Sequence, residues 1–138
     1  MKTETAKIPS VVVVDDSPSS VSLYELSARN LDVEFTTFLS PGDSLEYLRG
    51  HGADLVFLGV LMRGTDGLTL LKRLRATKQH RTTPIVLVSS KDYAQDRQVA
   101  RELGASEYLI KPLRSQEIRE IIHRHTGARV TKGNGKDE

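Results

Sequence analysis

Cysteine and long apolar segments are both missing from this 138-residue chain. Without cysteine, the protein can hold neither a disulfide nor a thiolate nucleophile nor a cysteine-based zinc site. No stretch approaches the roughly 20 apolar residues that a membrane-spanning helix needs. Residues 1–7 also lack the apolar segment of a secretory signal peptide. We therefore expect a soluble, cytoplasmic protein with no membrane partner.

Strong charge of one sign is missing as well. The chain has 20 basic and 18 acidic residues, which gives a net charge of +2 and a sequence pI near 9.0. This small excess is far from the concentrated basic surface that follows a phosphate backbone, so we expect no nucleic-acid binding by this chain alone. Two histidines, His51 and His80, fall in predicted turns, and we expect both imidazoles to be solvated.

The hydrophobic pattern indicates five strands that alternate with five helices. Apolar or β-branched stretches occupy residues 10–14, 33–38, 55–58, 85–89 and 106–110. Helix starts follow several of them, with Ser17, Ser40 and Ser115 as predicted N-caps. Such alternation requires right-handed crossovers and a parallel sheet covered by helices on both faces. We predict a flavodoxin-like (βα)5 fold with strand order 2-1-3-4-5.

The same pattern divides the chain into three parts. Residues 1–9 form a polar lead-in, and residues 10–125 form one domain of ordinary size. Residues 126–138 are rich in glycine and charge and are predicted to be a disordered tail or a cut linker.

The carboxyl ends of the predicted strands collect the polar residues. Asp15 and Asp16 follow the first strand, Ser89 ends the fourth, and Lys111 follows the fifth. Ligands bind at this edge of open α/β sheets, so we expect these side chains to meet there. The residue at the end of the third strand is Gly59, which brings no side chain.

These residues resemble the receiver domain of bacterial two-component response regulators over about residues 11–124. The resemblance depends on four motifs in chain order: Asp15-Asp16, the loop from Met62 to Asp66-Gly67, Ser89, and the segment Tyr108-Leu109-Ile110-Lys111-Pro112. In that family an aspartate ends the third strand and accepts a phosphoryl group from a histidine kinase. Gly59 stands at this position here, and Arg63 stands where the family usually has proline. The resemblance thus implies a receiver without its phosphoacceptor.

The resemblance also implies a metal site. In the family, residues matching Asp15 and Asp16, together with a backbone carbonyl matching Leu61, hold Mg²⁺ beside the acceptor carboxylate. Because Mg²⁺ prefers hard oxygen ligands, the loss of one carboxylate at Gly59 should weaken the site. The plainer alternative is a polar loop whose acids favour the positive end of a helix. No organic cofactor is implied.

Three further roles come with the resemblance. Lys111 would pair with the acceptor, across a peptide bond to Pro112 that is typically cis; without an acceptor we predict that Lys111 pairs with Asp15 or Asp16. Ser89 and Tyr108 would form the switch that changes the surface of the last two helices and the fifth strand. An ordinary strand-end serine and a half-buried tyrosine remain the alternative.

The implied function is signalling and not enzymatic catalysis. The chain would be a receiver that cannot be phosphorylated at the usual position and acts through protein contacts, as a monomer or weak dimer. Its partners would be a histidine kinase or another signalling protein. The alternative is a working receiver whose acceptor has been substituted by Gly59, in nature or by engineering; phosphorylation of Asp16 or Asp66 fits less well. A flavin carrier or a phosphatase is disfavoured, because the adjacent acids would repel a flavin phosphate and phosphatases of the haloacid dehalogenase type separate their two aspartates by one residue.

Overall fold

A computed structural model describes residues 8–130 of the chain. The strands are β1 (Ser10–Val14), β2 (Glu34–Phe38), β3 (Leu55–Gly59), β4 (Ile85–Ser89) and β5 (Glu107–Ile110). The helices are α1 (Pro18–Ala28), α2 (Pro41–Gly50), α3 (Gly67–Arg75), α4 (Ala94–Glu102) and α5 (Ser115–Thr126), with a short 3-10 helix at Lys78–His80. Within residues 8–130, no helix combines the length and the apolar character that crossing a membrane requires.

The strands form one parallel sheet in the order β2-β1-β3-β4-β5, which confirms the predicted flavodoxin-like fold. β3 and β4 are buried along their whole length and β1 is buried from Val11 onward, as expected for strands covered on both faces. The register aligns Val14 with Leu58 and Gly59 with Val88, so the carboxyl ends of β1, β3 and β4 lie side by side.

Alternate strand residues face two separate apolar layers. Val11 and Val13 of β1 point to the side covered by α1 and α5, whereas Val12 and Val14 point to the side covered by α2, α3 and α4. The helix α4 contributes only Ala100 to the buried residues of its layer. It is therefore the helix that is held least firmly by the core.

The predicted N-caps are correct for two helices and wrong for the third. The hydroxyls of Ser17 and Ser40 each accept a backbone N–H from the first turn of the helix that follows. In α5 the N-cap position is Arg114, and Ser115 is the first helical residue. The Glu117 side chain accepts the Arg114 backbone N–H at 3.1 Å, which supplies the cap that the serine does not.

The domain boundary at the carboxyl end also differs from the prediction. Thr126 is the last residue of α5, and Gly127 follows it with φ +79°, a left-handed helix end that favours glycine. Ala128 is buried and Val130 forms an antiparallel bridge with Leu31, so the described residues that follow α5 contact the domain. The rest of the predicted tail, residues 131–138, and residues 1–7 of the lead-in lie outside the described residues.

One histidine is buried, contrary to expectation. His80 is fully buried, and its Nε2 lies 2.7 Å from the carbonyl oxygen of Leu48 and 3.0 Å from that of His51. Because a carbonyl can only accept, Nε2 carries the proton, and Nδ1 accepts from the Thr83 hydroxyl at 3.0 Å. The imidazole thus joins the end of α2 to the segment before β4. His51 is exposed as predicted and stacks on Tyr47.

Candidate functional site

An ion pair occupies the carboxyl edge of the sheet. Asp15, directly after β1, and Lys111, directly after β5, bring Oδ2 and Nζ to 2.9 Å. The prediction that Lys111 pairs with one of the two acids is thereby confirmed for Asp15. The Lys111–Pro112 peptide bond is cis, as the resemblance implied.

The Asp15–Lys111 pair is shielded from solvent on one side. The side chain of Asp15 is 3% exposed and that of Lys111 is 27% exposed, so screening by water is weaker than for a surface pair. Asp15 Oδ1 accepts the Ser17 backbone N–H at 2.9 Å, and Lys111 Nζ donates to the Ser20 hydroxyl at 3.1 Å. Within residues 8–130, Asp15 Oδ2 has this ion pair and no separate hydrogen bond. The lysine therefore neutralises a carboxylate that would otherwise be buried alone.

The neighbouring acid has a different contact. Asp16 is half-buried, and its Oδ2 accepts the backbone N–H of Arg63 at 2.8 Å. This hydrogen bond ties the end of β1 to the loop between β3 and α3. Arg63 stands where the family usually has proline. A proline could not make this contact, because it has no backbone N–H to donate.

The two glycines at the ends of the loop between β3 and α3, Gly59 and Gly67, differ in how much space their surroundings leave for a side chain. A Cβ atom on Gly59 would lie 3.5 Å from the carboxyl carbon of Asp15 and 3.4 Å from Met62 Cγ, which are ordinary contact distances. A Cβ atom on Gly67 would lie only 2.1 Å from the Gly59 carbonyl oxygen, and the Gly67 N–H donates to Val60 O at 2.8 Å. Packing thus demands glycine at position 67 but leaves room for a side chain at position 59, directed toward Asp15.

The two predicted switch residues lie on the neighbouring strands β4 and β5, two positions apart in register. Ser89 is buried, and its Oγ accepts the Lys91 backbone N–H at 3.1 Å. Tyr108 is half-buried, and its hydroxyl is buried without a hydrogen bond among the described residues. Burial raises the pKa of the Tyr108 phenol.

The donors at this edge do not fit a resident Mg²⁺ well. Asp15 is neutralised by Lys111, and the carboxylates of Asp15 and Asp16 each already accept a backbone N–H. Leu61, the predicted carbonyl ligand, lies in the loop after β3 with an exposed side chain. Among residues 8–130, no three acidic or histidine side chains come together as a metal-binding group. Both acids of the edge are thus engaged by groups of the chain itself.

The fold and the site define a flavodoxin-like domain with acidic residues at the carboxyl ends of its strands, and comparison with known proteins gives its family. The chain belongs to the response regulator receiver domain family, whose model matches residues 11–123. It is 33% identical over 111 residues to the cyclic di-GMP phosphodiesterase response regulator RpfG of Xanthomonas campestris, covering 79% of this chain and 29% of that protein. It is 31% identical over 121 residues to the transcriptional regulatory protein AfsQ1 of Streptomyces coelicolor, covering 85% and 52%. The chain thus spans about half or less of the length of these two relatives.

The structural comparison shows the same fold. The chemotaxis protein CheY4 of Vibrio cholerae superposes with a TM-score of 0.80 at 22% identity, covering 86% of this chain and 99% of that one. Receiver domains are signalling modules of two-component systems that interact with histidine kinases and output domains, and they generally bind Mg²⁺ at the acidic site.

Proposed function

We propose that this chain is a receiver domain that is not phosphorylated at the usual position and acts through protein contacts. The observation that carries the proposal is the Asp15–Lys111 ion pair beside Gly59. In receivers, the aspartate at the end of the third strand accepts the phosphoryl group and is the partner of the lysine. Here the lysine has another partner, and the third strand ends in a residue without a nucleophile.

The geometric and charge requirements of phosphoryl transfer also support the proposal. The attacking carboxylate must be held in line with the phosphorus atom, and the charge on the transferred group must be neutralised. The two other candidate acceptors in the sequence have structural roles. Asp16 Oδ2 holds the Arg63 N–H, and Asp66 Oδ1 accepts the Thr69 N–H at 2.8 Å as the N-cap of α3.

The charge at the site also supports a domain that works without a metal. Asp15, Asp16 and Lys111 together carry a formal charge of −1, whereas an added carboxylate at position 59 would make it −2. With less like-charge repulsion, the site needs no divalent cation to stay folded. Lys111 neutralises Asp15, one of the two remaining acids, without a metal.

The output would then be the surface formed by α4, β5 and α5. This surface offers a helix, α4, with one buried residue and an exposed aromatic side chain, Tyr93, at its start. A histidine kinase or another signalling protein would bind the domain without transferring a phosphoryl group. We propose that the domain is a monomer or a weak dimer.

A second candidate is a working receiver in which the acceptor aspartate has been replaced. The room at Gly59, where a Cβ atom meets only contacts of 3.4 Å and longer, favours this candidate. Both candidates predict that the chain with Gly59 is not phosphorylated at this position. They differ in whether the rest of the site would accept a phosphoryl group once an aspartate is introduced there.

The test uses beryllofluoride, which imitates a phosphoryl group on a carboxylate, and ¹⁵N–¹H spectra of the backbone. The native chain is expected to give the same spectrum with and without beryllofluoride and Mg²⁺, as is the control Gly59→Asn. If Gly59→Asp shifts the amides of Ser89 and Tyr108, the pocket is intact and only the acceptor is missing. If the native chain shows these shifts, the proposed function is wrong.

A further inference from the structure

A basic side chain outside the acidic site covers the ring of Tyr108. The guanidinium carbon of Arg97, on α4, lies 4.9 Å from the centroid of the Tyr108 ring on β5. Arg97 Nε also donates to Asp92, in the loop before α4, and the two form an ion pair. The Arg97 guanidinium is always charged in a protein, so it can make a cation–π contact with the ring.

The position of the Tyr108 ring needs an explanation. Its hydroxyl is buried without a hydrogen bond among the described residues, and an unsatisfied buried hydroxyl is unfavourable. A tyrosine on the edge strand β5 could satisfy the hydroxyl by turning the ring outward into water. Two contacts hold the ring inward: it packs against the apolar layer covered by α2, α3 and α4, and the guanidinium of Arg97 lies over it.

We propose that Asp92 and Arg97 form a latch that holds the half-buried Tyr108 ring inward and thereby fixes the α4–β5 part of the output surface. Asp92 orients the guanidinium, and the guanidinium covers the ring. Both acids that influence Tyr108 electrostatically from this side, Asp92 and Asp96, lie at the start of α4, so the latch belongs to the loop and first turn of that helix. Because α4 has only one buried residue, the latch also contributes to holding this helix in place.

The latch deepens the proposed function, since it rests on the idea that no phosphoryl group sets the surface. A domain that signals without phosphorylation needs another means of fixing its contact surface. The latch consists of residues outside the acidic edge, and it does not use Ser89 or Lys111. Its state is therefore measurable with no phosphoryl donor, metal or partner present.

The experiment follows the Tyr108 ring by ¹⁹F NMR in protein labelled with 3-fluorotyrosine. The chain has four tyrosines, and loss of one signal in Tyr108→Phe assigns the resonance. A soluble paramagnetic agent reports how exposed each ring is, and Tyr93, which is 54% exposed, serves as the internal reference. In Arg97→Ala, relaxation of the Tyr108 signal is expected to rise toward that of Tyr93.

Two further variants make the result specific. Arg101→Ala removes an exposed basic side chain from the same helix and should leave the Tyr108 signal unchanged. Arg97→Lys keeps a positive charge near Asp92 but loses the flat stacking group, so it should expose Tyr108 as well. The latch is refuted if Arg97→Ala leaves Tyr108 as protected as in the native chain, or if Arg97→Lys protects it fully.

The outcome is distinguishable from failure of the proposed function. If the native chain responds to beryllofluoride but Arg97→Ala still exposes Tyr108, the latch stands and the proposed function falls. If beryllofluoride leaves the spectrum of the native chain unchanged and Arg97→Ala leaves Tyr108 protected, the proposed function stands and the latch is refuted.

Discussion

Replacing Gly59 by aspartate should destabilise the domain in the absence of divalent cations. The Cβ atom would meet Asp15 and Met62 at ordinary contact distances, so steric strain is small. Loss of glycine at a strand end is worth about 0.5–1 kcal/mol in favour of the variant. Against this, the new carboxylate would lie about 4 Å from that of Asp15, a repulsion of about 4 kcal/mol at an effective dielectric constant of 20.

Lys111 reduces this repulsion, because it already forms an ion pair with Asp15. We therefore expect a net loss of about 1–3 kcal/mol in the free energy of unfolding at pH 7, measured by urea titration. The repulsion raises the pKa of the new carboxyl group in the folded state. A carboxyl group with a raised folded-state pKa destabilises above its unfolded pKa of about 4, so the loss should disappear below about pH 4.

Magnesium should reverse the loss in this variant, because three carboxylates form a better oxygen donor set than two. At 100 times its dissociation constant, a ligand that binds only the folded state stabilises by about 2.7 kcal/mol. The native chain should gain much less, and removing the metal with a chelator should change its stability little. The uncharged control Gly59→Asn should show neither the pH dependence nor the large Mg²⁺ effect. If Gly59→Asp is as stable as the native chain at pH 7 and indifferent to Mg²⁺, position 59 does not face Asp15 and the site is misassigned.

Three further predictions test the contacts that stabilise the site and the fold. Lys111→Met should lower the free energy of unfolding at pH 7 by about 2–3 kcal/mol, below the 3–5 kcal/mol of a fully buried pair because Lys111 is partly exposed; a change under 0.5 kcal/mol in urea titration would contradict the pairing. Gly67→Ala should cost about 3 kcal/mol or more in thermal unfolding through overlap with the Gly59 carbonyl, whereas Gly59→Ala should stay within about 1 kcal/mol of native; equal losses would argue against the difference in packing. His80→Ala should cost about 2–4 kcal/mol by leaving a cavity and buried carbonyls without a donor, and hydrogen exchange near the end of α2 should speed up with it; unchanged exchange there would refute the bridging role.

The fold could be predicted because its signals are local and repeated. Each strand is a short apolar run and each is followed by a helix start, so the alternation alone determines a parallel sheet with right-handed crossovers. The ion pair could be predicted for the same reason: Asp15 and Lys111 come directly after strands whose carboxyl ends share one edge. Strand order decides which residues meet, and side-chain detail is hardly needed.

The errors concern contacts that depend on how helices and loops pack. His80 looks like a turn residue, and its burial depends on the end of α2 lying beside the 3-10 helix, a contact between segments about 30 residues apart. Serine is a strong N-cap residue, which favours Ser115 as the cap of α5. The N-cap position is instead Arg114, one residue earlier, and its backbone N–H donates to the Glu117 side chain. Val130, after the end of α5, forms its bridge with Leu31, which is far away in the chain.

The role of Arg97 could not be predicted because its partners depend on the orientation of α4. Asp92 lies five residues before Arg97, outside the spacing of neighbours on a helix face, and Tyr108 lies on a different strand. The sequence holds only part of the signal, since an acid before a helix and a base within it are common. The orientation of α4 toward β5 is needed before the three residues can be connected.

The most direct test of the central claim is the intact mass of the protein after incubation with acetyl phosphate and Mg²⁺. The native chain, Gly59→Asp and Gly59→Asn are treated side by side. We predict that only Gly59→Asp gains the mass of one phosphoryl group, because the acidic edge is intact apart from the missing acceptor. If neither variant gains this mass, the site is altered beyond Gly59. That result favours a receiver that acts through protein contacts over a working receiver whose acceptor was replaced. A phosphoryl group on the native chain would contradict the account, since it would require an acceptor that the structure does not assign.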